Sequence, residues 1–459
     1  MNNIFPLLAV LLFAAPAGAL EWHPMGARAV GMGGAGVAES RGPLASYWNA
    51  AALGRATENA YGLQFPVGAH AALTGTVLEG ANDLESLKNN PLTITQAKID
   101  AALAKLNEPG NGMRLGVDAG ADFKVGKLAF FTNGFVDIGM VPTIDPNATV
   151  TTIGNGTNNS KLTLKGAQVL EFGVGYGHEL PFAQGVFLGG NVKVMNALVG
   201  YYDYFVLRNT NDESDMFSKF KNGAKKSSNF GVDLGALWDV NRTFENVPLH
   251  PRLGIVGRNL NNPKFKQPDA AVAAGVAGKF AVNPQARVGA SISPFNWWNI
   301  AADLDLTRNL TAVDNVASRQ FGLGNEFNIF NRSWINIPLR VGLMRNLAET
   351  GSGTMLTAGT GLNFLHLIVD VSGAISPKKV KTQSEGESTE LPKEAYASIQ
   401  LSILFGGSSD SKPSASSEPP APTPAPATKT DDQPVSTEKV RQEAEKAQKA
   451  LDAESKKTP

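Results

Sequence analysis

The stretch GMGGAG places Gly31, Gly33 and Gly36 in the G-x-G-x-x-G pattern of loops that bind dinucleotides. In such loops the absence of side chains lets the backbone approach a pyrophosphate, and the loop follows a buried strand and opens a helix. Glu58 lies at the sequence distance of the acid that contacts the ribose. Residues 21–24, EWHP, are not a buried apolar strand, however. The sequence therefore predicts no nucleotide cofactor, and the glycines need another explanation.

Other residue patterns that carry chemistry are missing from the sequence. The five histidines include no pair at a metal-binding spacing such as H-E-x-x-H, and there is no G-x-S-x-G nucleophile motif. The chain has no cysteine, which excludes disulfides, zinc–thiolate sites and thiol nucleophiles. Four aspartates on polar strand faces could bind a cation or act as acids, but we interpret them as ordinary polar residues: Asp233, Asp239, Asp303 and Asp305. We predict no enzyme, no metal site and no cofactor.

The composition limits the class of protein. The 459 residues carry 41 basic and 41 acidic side chains, and this balance gives no support for a nucleic-acid partner. A mean hydropathy of −0.11 is too low for a bundle of membrane helices. Residues 1–19 contain the short apolar run Phe5–Ala15 and end in the small residues AGA, which predicts a secretory signal peptide cleaved after Ala19. The mature protein is therefore expected outside the cytoplasm.

From residue 61 to residue 405, short segments alternate apolar residues with Gly, Asp or Ser. In 228–240 one face reads Phe230, Val232, Leu234, Ala236, Trp238 and Val240, whereas the other carries Gly231, Asp233, Gly235 and Asp239. A period of two gives each strand one apolar and one polar face, in soluble β-sandwiches as well as in membrane barrels. Polar faces rich in glycine, and aromatic residues near strand ends, favour the barrel; these aromatics are Tyr201, Tyr202, Tyr204, Trp238, Trp298, Trp334 and Tyr396.

Fifteen segments fit the strand pattern, whereas a bacterial barrel has an even number of strands. The weakest segment, 270–281, is mostly Ala and Gly, and without it the prediction is an all-β, antiparallel transmembrane β-barrel of about fourteen strands. Long and short connections then alternate, as expected of long outer loops and short periplasmic turns. The predicted strands are 61–74, 113–125, 127–140, 168–179, 185–207, 228–240, 251–259, 285–293, 297–307, 319–329, 334–346, 354–364, 365–375 and 395–405.

Residues 26–53, GARAVGMGGAGVAESRGPLASYWNAAAL, resemble the start of mature FadL-type outer-membrane transporters. Those proteins begin with a glycine-rich segment and an Asn-Pro-Ala motif, which here reads Asn49-Ala50-Ala51, without the proline. The segments VGAHAALTGTVLEGANDLESL, ALVGYYDYFV, PRLGIVGRNL and NIAADLDLTRN extend the resemblance over residues 22–405. Their order is most similar to the conjugal-transfer TraF-type branch of that superfamily.

The resemblance implies that the N-terminal segment is a hatch, or plug, that fills the barrel. A filled lumen needs small residues where backbones come close, and glycine also permits positive φ angles. The residues that the resemblance assigns to the plug are Gly31, Gly33, Gly34, Gly36 and Asn49. The glycines are then explained without a nucleotide. The alternative interpretation is a flexible N-terminal arm.

These observations predict five regions: a signal peptide at 1–19, the plug at 20–60, the barrel at 61–405, a Pro/Ser/Ala linker at 406–435 and a charged helical tail at 436–459. The last strand ends at Phe405, a terminal aromatic of the kind that the outer-membrane assembly machinery reads. Residues 436–456 have helical spacing within a flexible C-terminal tail, which would lie in the periplasm. A partly disordered soluble tail is the alternative.

The resemblance implies a protein of the bacterial outer membrane, surrounded by lipid, that admits small hydrophobic molecules by passive diffusion. Residues 96–106 predict an amphipathic helix in an outer loop, with Ile99, Leu103 and Leu106 on one face as candidate ligand contacts. The alternative for this segment is packing against neighbouring loops. The alternative function is a non-transporting structural or assembly component of a conjugation or secretion apparatus, whose tail helix reaches a periplasmic partner. A lipase-type pair of a Ser and a His on the barrel is a further alternative, but the sequence indicates no particular residues for it.

Overall fold

The computed structural model describes residues 20–55, 59–89, 95–145, 147, 149–154, 157–205, 215–332, 334–349, 353–384, 387–405, 441, 442, 445, 446 and 449. The chain divides into two compact units, Met1–Ser411 and Lys412–Pro459. In the second unit the described residues are helical, within the predicted helix 436–456. The rest of that helix, the signal peptide and the linker lie outside the described residues.

Fourteen antiparallel strands of the first unit form a closed barrel, in which β1 pairs with both β2 and β14. Closure leaves no sheet edge to present unpaired backbone groups to lipid, as a membrane-spanning sheet requires. The predicted fourteen-stranded barrel is confirmed. Its strands are β1 Tyr61–Thr74, β2 Gly112–Val125, β3 Leu128–Thr143, β4 Lys161–Glu179, β5 Val186–Phe205, β6 Lys225–Asp239, β7 Arg252–Arg258, β8 Gln285–Phe295, β9 Trp298–Asp305, β10 Gln320–Asn331, β11 Ile335–Asn346, β12 Thr354–Phe364, β13 Leu367–Ile375 and β14 Glu394–Phe405.

Most strand boundaries lie within three residues of the prediction, and the largest difference is in β4. This strand begins at Lys161 rather than at residue 168. The sequence KLTLKGA at the start of β4 does not alternate regularly between the two faces, so the pattern does not predict a strand there. Gly166 lies in this irregular part and has a φ of 158°. The segment 270–281, which the prediction left out of the barrel, contains a short helix and one strand of a two-stranded ribbon outside the barrel sheet.

The connections form short turns at one end of the barrel and long loops at the other. Three of the long loops contain two-stranded ribbons, namely Lys264–Lys266 with Lys279–Ala281, Asn309–Leu310 with Ala317–Ser318, and Lys379–Ser384 with Glu387–Pro392. By the rule that long loops face outward, we call the long-loop end the outer end and the other the periplasmic end. β1 begins and β14 ends at the periplasmic end.

Helices occur in the N-terminal segment and in the connections. They are α1 Ala27–Gly31, α2 Ala45–Trp48, a 3-10 helix Ala50–Gly54, α3 Val77–Asn89, α4 Gln96–Leu106, α5 Val150–Gly154, α6 Met216–Asn222, α7 Val240–Thr243 and α8 Asp269–Ala273. Within the described ranges, none of the helices has the length and apolar character needed to cross a membrane. The helix predicted at 96–106 is present with the predicted bounds.

The two faces of each strand differ as the alternation predicts. On β6, Phe230 and Leu234 are each 57% exposed, whereas Asp233 between them is buried in the lumen. Exposed apolar side chains on neighbouring strands continue this surface around the barrel, among them Val67, Val117, Phe172, Val194, Ile255, Leu339, Leu356, Val371 and Ile399. This outward apolar band is the surface that a bilayer covers.

The aromatic residues near strand ends do not all face lipid. Tyr201, Tyr204 and Tyr396 are buried, which corrects their assignment to an interfacial girdle. Tyr396 shares the inward face of β14 with Ser398 and donates its hydroxyl to Asp118 across the lumen wall. At the periplasmic end, Trp298 does stack on a neighbouring aromatic ring.

A charge introduced on the lipid face of β6 should cost stability according to its depth. We expect Leu234→Arg, near the middle of the strand, to lower the free energy of unfolding by roughly 2–4 kcal/mol, because a charge at the bilayer midplane loses its hydration. Ser228→Arg, on the same face near the outer end, should cost at most about 1 kcal/mol. Urea unfolding in lipid vesicles measures both values. Equal costs at the two depths would contradict the assignment of this face to lipid.

Candidate functional site: the plugged lumen

The N-terminal segment Leu20–Arg55 lies inside the barrel, and we call it the plug. Every one of its residues is buried except Pro24, Arg28 and Arg41, which are half-buried. The 3-10 helix contacts β4, β5 and β6, while α1 contacts the opposite wall, including β12, β13 and β14. The segment therefore crosses the lumen from wall to wall.

Two of the plug glycines, both with positive φ, lie close to the wall. Gly33 has a φ of 68°, and a Cβ there would overlap the carbonyl oxygens of Leu323 and Leu343. Gly34 has a φ of 79°, and its Cβ would lie 3.0 Å from the sulfur of Met344. Both positions favour glycine because the left-handed conformation disfavours side chains, and at Gly33 the backbone of the wall also leaves no space for a Cβ.

The other glycines assigned to the plug also lie in close contacts. A Cβ at Gly31 would lie 3.3 Å from the Cα of Gly359 on β12, and one at Gly36 would overlap the ring of Trp48. Glycines on the wall face the plug in turn, for a Cβ at Gly324 would overlap the backbone of Met32. Sequence reasoning missed these wall glycines, although their inward position in β10–β12 was the available signal.

Asn49 ties the end of the plug to the wall. Its side-chain amide donates to the carbonyl oxygens of Val37 and Ala236, at 3.3 and 3.0 Å, and its side-chain oxygen accepts from the amide of Ala51 at 3.1 Å. A Cβ at Gly235 would overlap that oxygen. These contacts use only the Asn, so they do not depend on a proline at the next position.

The segment GMGGAG, residues 31–36, which we call the glycine loop, binds a carboxylate from the protein itself. The amides of Gly36 and Val37 donate to Oδ2 of Asp303 at 2.8 and 2.9 Å. Consecutive amide groups in a glycine-rich turn are suited to an anion, as in nucleotide-binding loops. Here β9 supplies the anion, and the loop's resemblance to a dinucleotide site has a local physical basis.

Buried ion pairs connect the plug to both sides of the wall. Arg28 contacts Glu39 within the plug and Glu326 on β10, at 3.3 and 2.8 Å. Glu39 also contacts Arg252 on β7 at 3.2 Å, and Glu326 contacts Arg340 on β11 at 2.7 Å. Removing one member of such a network leaves a partner charge buried without compensation, which is strongly destabilising.

Trp22 lies between two arginines of the wall. Its ring centroid is 5.2 Å from the guanidinium carbon of Arg258 and 4.4 Å from that of Arg287. Arg287 is itself paired with Asp305 at 2.6 Å, so the ring contacts a neutralised cation. Contacts of this type contribute about 2 kcal/mol or more each when they are desolvated, and they hold the start of the plug near the outer end.

The four aspartates singled out in the sequence all face the lumen. Asp303 holds the glycine loop and Asp305 pairs with Arg287. Asp233 pairs with Lys193 at 3.1 Å, and Asp239 with an arginine of β7 at 3.4 Å. In the part of the chain that the structure describes, no group of three or more histidines and acids could hold a metal ion.

A cavity of about 50 Å³ lies beside the plug, toward the outer end. Its lining includes Gly33 and Gly34 of the plug, with Trp22, Met344 and Met355 among the apolar residues. Glu21 contacts Arg114 of β2 at 2.5 Å on the same lining. An apolar cavity of about 150 Å³ holds one benzene molecule, so this space is too small for an aromatic ring.

The candidate ligand contacts lie away from this cavity. Ile99, Leu103 and Leu106 of α4 are buried against α3 and its surroundings, including Val77 and Leu84. The helix therefore packs against its neighbours, and a ligand would have to separate α3 from α4 to touch these side chains. The structure brings the plug residues together but does not bring these three residues to them. Their role in ligand contact stays a prediction.

Comparison with known families decides the relationship of the chain. The family model described as F plasmid transfer operon, TraF, protein matches residues 47–305, more than half of the chain. The chain belongs to this family. The resemblance to the TraF-type branch is thereby confirmed. No curated protein matches the sequence.

Several solved structures have a similar architecture to this TraF-family barrel. The toluene transporter TbuX of Ralstonia pickettii is 15% identical, with 83% of this chain and 98% of that chain covered and a TM-score of 0.44. The toluene transporter TodX of P. putida is 12% identical, with 83% and 98% covered and a TM-score of 0.47. A Pseudomonas aeruginosa FadL homologue is 13% identical, with 85% and 100% covered and a TM-score of 0.46.

Enlarging the glycines at the wall should displace the plug of this TraF-family protein. We expect Gly33→Leu and Gly34→Leu to unseat it, because overpacking a tight site costs about 1–3 kcal/mol. The barrel should remain folded, since its hydrogen bonds close around the ring. Entry of small antibiotics measures the permeability. The control is Gly126→Leu, at a φ of 59° with no heavy atom within 4 Å of the Cβ position. Unchanged permeability in the first two variants would make the segment a loose arm.

Acid should weaken the seating of the plug through His23. Burial lowers the pKa of His23 from 6.5 to about 4, against the opposing charge of Glu21. A displaced plug binds this proton below pH 6.5 and a seated plug does not, so seating weakens as the pH falls toward 4. Burial alone would raise the pKa of Glu21, but Arg114 and other charges lower it to about 2. Protonation of Glu21 therefore weakens the seating of the plug only at a more acidic pH.

Between pH 6.5 and pH 5 the seating free energy should fall by about 2 kcal/mol. Hydrogen exchange of plug amides at a series of pH values measures it. The variant His23→Phe should reduce this pH dependence, with the remainder due to neighbouring groups such as His70, whose ring centroid lies 4.7 Å from that of His23. His366→Phe, at an exposed position, should leave the dependence unchanged. An undiminished dependence in His23→Phe would assign the effect to another group.

Proposed function

We propose that this protein is a plugged outer-membrane channel that admits small hydrophobic molecules by passive diffusion. The observation that carries the proposal is the cavity beside Gly33 and Gly34, because the plug itself forms part of its lining. A displacement of the plug would enlarge the cavity and connect it to the rest of the lumen. In its present form the cavity is smaller than a single aromatic ring requires.

The lining of the cavity favours an apolar solute over a charged one. Trp22, Met344 and Met355 offer apolar and polarisable surface. Arg287 on the lining is already paired with Asp305, and Asp303 already accepts from the plug amides. A charged solute would also lose its own hydration on entering this space, whereas an apolar solute has no charge to desolvate.

Movement of the plug is the step that this proposal requires. The contacts that oppose it are the amides bound to Asp303, the ion pairs of Arg28 and Glu39, and the close approach of Gly33 to the wall. An energy source is not needed, since a concentration gradient across the outer membrane drives passive diffusion. The C-terminal tail would lie in the periplasm, because β14 ends on that side, and the outer-membrane assembly machinery would read the strand that ends at Phe405.

A second candidate function is a structural or assembly component of a transfer apparatus, without transport. The match to the family described as F plasmid transfer operon, TraF, protein favours it. In this case the plug stays seated, the buried ion pairs serve stability alone, and the tail helix contacts a periplasmic partner. The two candidates differ in whether the plug must move.

A reversible tether between plug and wall separates them. A Cβ at Gly254 would lie 3.0 Å from Cγ1 of Val37, the atom that the sulfur replaces in Val37→Cys. A disulfide between cysteines at these two positions spans this separation. The natural chain has no cysteine, so Val37→Cys with Gly254→Cys introduces the sole pair. We expect uptake of a labelled hydrophobic compound into vesicles to stop under oxidation and to return on reduction.

The single variants Val37→Cys and Gly254→Cys control for the substitutions and should respond to neither treatment. Uptake that continues in the oxidised double variant would overturn the role of the plug as the gate. A natural protein that shows no uptake above protein-free vesicles would favour the second candidate.

A further inference from the structure

The ring of His23, a residue of the plug, lies against aromatic rings of the wall. Its centroid is 4.7 Å from that of His70 on β1 and 6.3 Å from that of Phe135 on β3. The planes of His23 and Phe135 are nearly parallel, at 13°, while those of His23 and His70 are tilted by 37°. These separations are typical of attractive aromatic pairs. We call the space that the His23 ring fills the His23 slot.

One level of four neighbouring strands, β14, β1, β2 and β3, forms the wall of the His23 slot. Tyr396 pairs with His70, His70 with Gly116, and Gly116 with Asp137. The glycine gives room to the His70 ring, since a Cβ at Gly116 would overlap that ring. His70 also stacks on Tyr396, with centroids 5.6 Å apart and 6° between the planes. The wall therefore holds the His70 ring through contacts that do not involve the plug.

Buried polar atoms around the His23 slot have no hydrogen-bond partner among the described residues. They are Nε2 of His23, both ring nitrogens of His70, Nε of Arg114 and both carboxylate oxygens of Asp137. Buried polar groups are nearly always hydrogen-bonded, and an unsatisfied one costs free energy. A neutral imidazole has one donor and one acceptor, and a carboxylate accepts only. The slot is therefore suited to a ligand that takes part in hydrogen bonds.

The charges beside the slot favour a neutral ligand. Arg114 is already paired with Glu21 at 2.5 Å, so it is not free to neutralise an anion. Glu21 and Asp137 would repel an anion, and Arg114 would repel a cation. A neutral O–H or N–H group can donate to Asp137 without the dehydration that an ion suffers in a buried space. His23 itself fits this description, because burial lowers its pKa to about 4 and leaves it neutral at neutral pH.

His23 occupies space that an entering molecule could use. Both His23 and His70 lie on the lining of the cavity of about 50 Å³, which alone is too small for an aromatic ring. Displacement of the plug removes His23, so the space of its imidazole ring joins that cavity. His70 and Phe135 then lose their contacts with the His23 ring. A ligand ring at this place restores those contacts and so favours the displaced plug.

We propose that the His23 slot binds a neutral aromatic ring that carries one hydroxyl or N–H group, and that His23 holds the place of this ring while the plug is seated. The ring stacks on His70 and Phe135, and its polar group meets the unpartnered atoms of His70 and Asp137. A hydrocarbon ring of the same size makes the stacking contacts alone and leaves those atoms unsatisfied. The assignment rests on the proposed function, because a ligand enters the slot only after the plug has moved.

The test measures binding of para-fluorophenol and fluorobenzene to the full-length protein in lipid nanodiscs by fluorine NMR, with empty nanodiscs to subtract partitioning into lipid. His23→Ala empties the slot, so it should bind para-fluorophenol roughly tenfold more tightly than the natural protein, which must first displace its own ring. This variant should prefer para-fluorophenol to fluorobenzene about fivefold, as expected for one added hydrogen bond. Adding His70→Phe keeps an aromatic ring but removes the nitrogens, and should reduce that preference.

The matched control is Phe187→Ala, which removes a ring that is 1% exposed from an apolar cluster at the periplasmic end. Its cavity should show no preference for para-fluorophenol. Four results would overturn the proposal: no gain in His23→Ala, equal binding of the two probes there, an undiminished preference with His70→Phe, or tighter binding of the cation para-fluorobenzylammonium. If His23→Ala does not fold, para-fluorophenol should still speed hydrogen exchange of plug amides in the natural protein more than fluorobenzene does, and equal effects would overturn the proposal.

Failure of this site and failure of transport give different results. A preference for para-fluorophenol in His23→Ala, together with no uptake into vesicles by the natural protein, would support the site and remove the proposed channel. Uptake by the natural protein, together with equal binding of the two probes in His23→Ala, would support the channel and remove the site.

Discussion

A backbone amide inside a bilayer has no water to bond, and the structure depends on this constraint throughout. A sheet that spans lipid must bond every strand to two neighbours, so it must close. Here β1 meets β14 in an unbroken register, from Tyr61 opposite Phe405 to Ala72 opposite Glu394. Once the ring is closed, the polar faces of all strands meet around one interior. The architecture of the lumen follows from that enclosure.

The enclosed side chains need partners, and the plug provides them. Asp303 reaches the amides of the glycine loop, while Glu326 reaches Arg28 across a sequence separation of 298 residues. Each pair satisfies one group from the wall and one from the plug, so neither part is fully satisfied alone. The same contacts that stabilise the seated plug oppose its displacement. Any transport through this barrel must therefore be compatible with breaking and reforming buried polar contacts.

The glycine loop illustrates how one chemistry serves two uses. A turn built from glycines exposes consecutive amides and lets another backbone approach closely, which are the properties that a phosphate-binding loop needs. In this protein the anion is a carboxylate on β9 and the approaching backbone is the wall of β10 and β11. The difference lies in the surroundings of the loop, since among the residues described from Leu20 to Arg55 no strand precedes residues 31–36, and only short helical turns follow them.

The sequence alone determined the strands, their number and their inward faces, because a period of two is a local property that each strand carries by itself. It also assigned Gly33, Gly34 and Asn49 to one segment through resemblance to a family. Three results depended on the tertiary structure: the burial of Tyr396, the packing of Ile99, Leu103 and Leu106 against α3, and the identity of the groups that meet the plug glycines. Each is set by contacts between residues far apart in the chain, and only closure of the barrel brings those residues together.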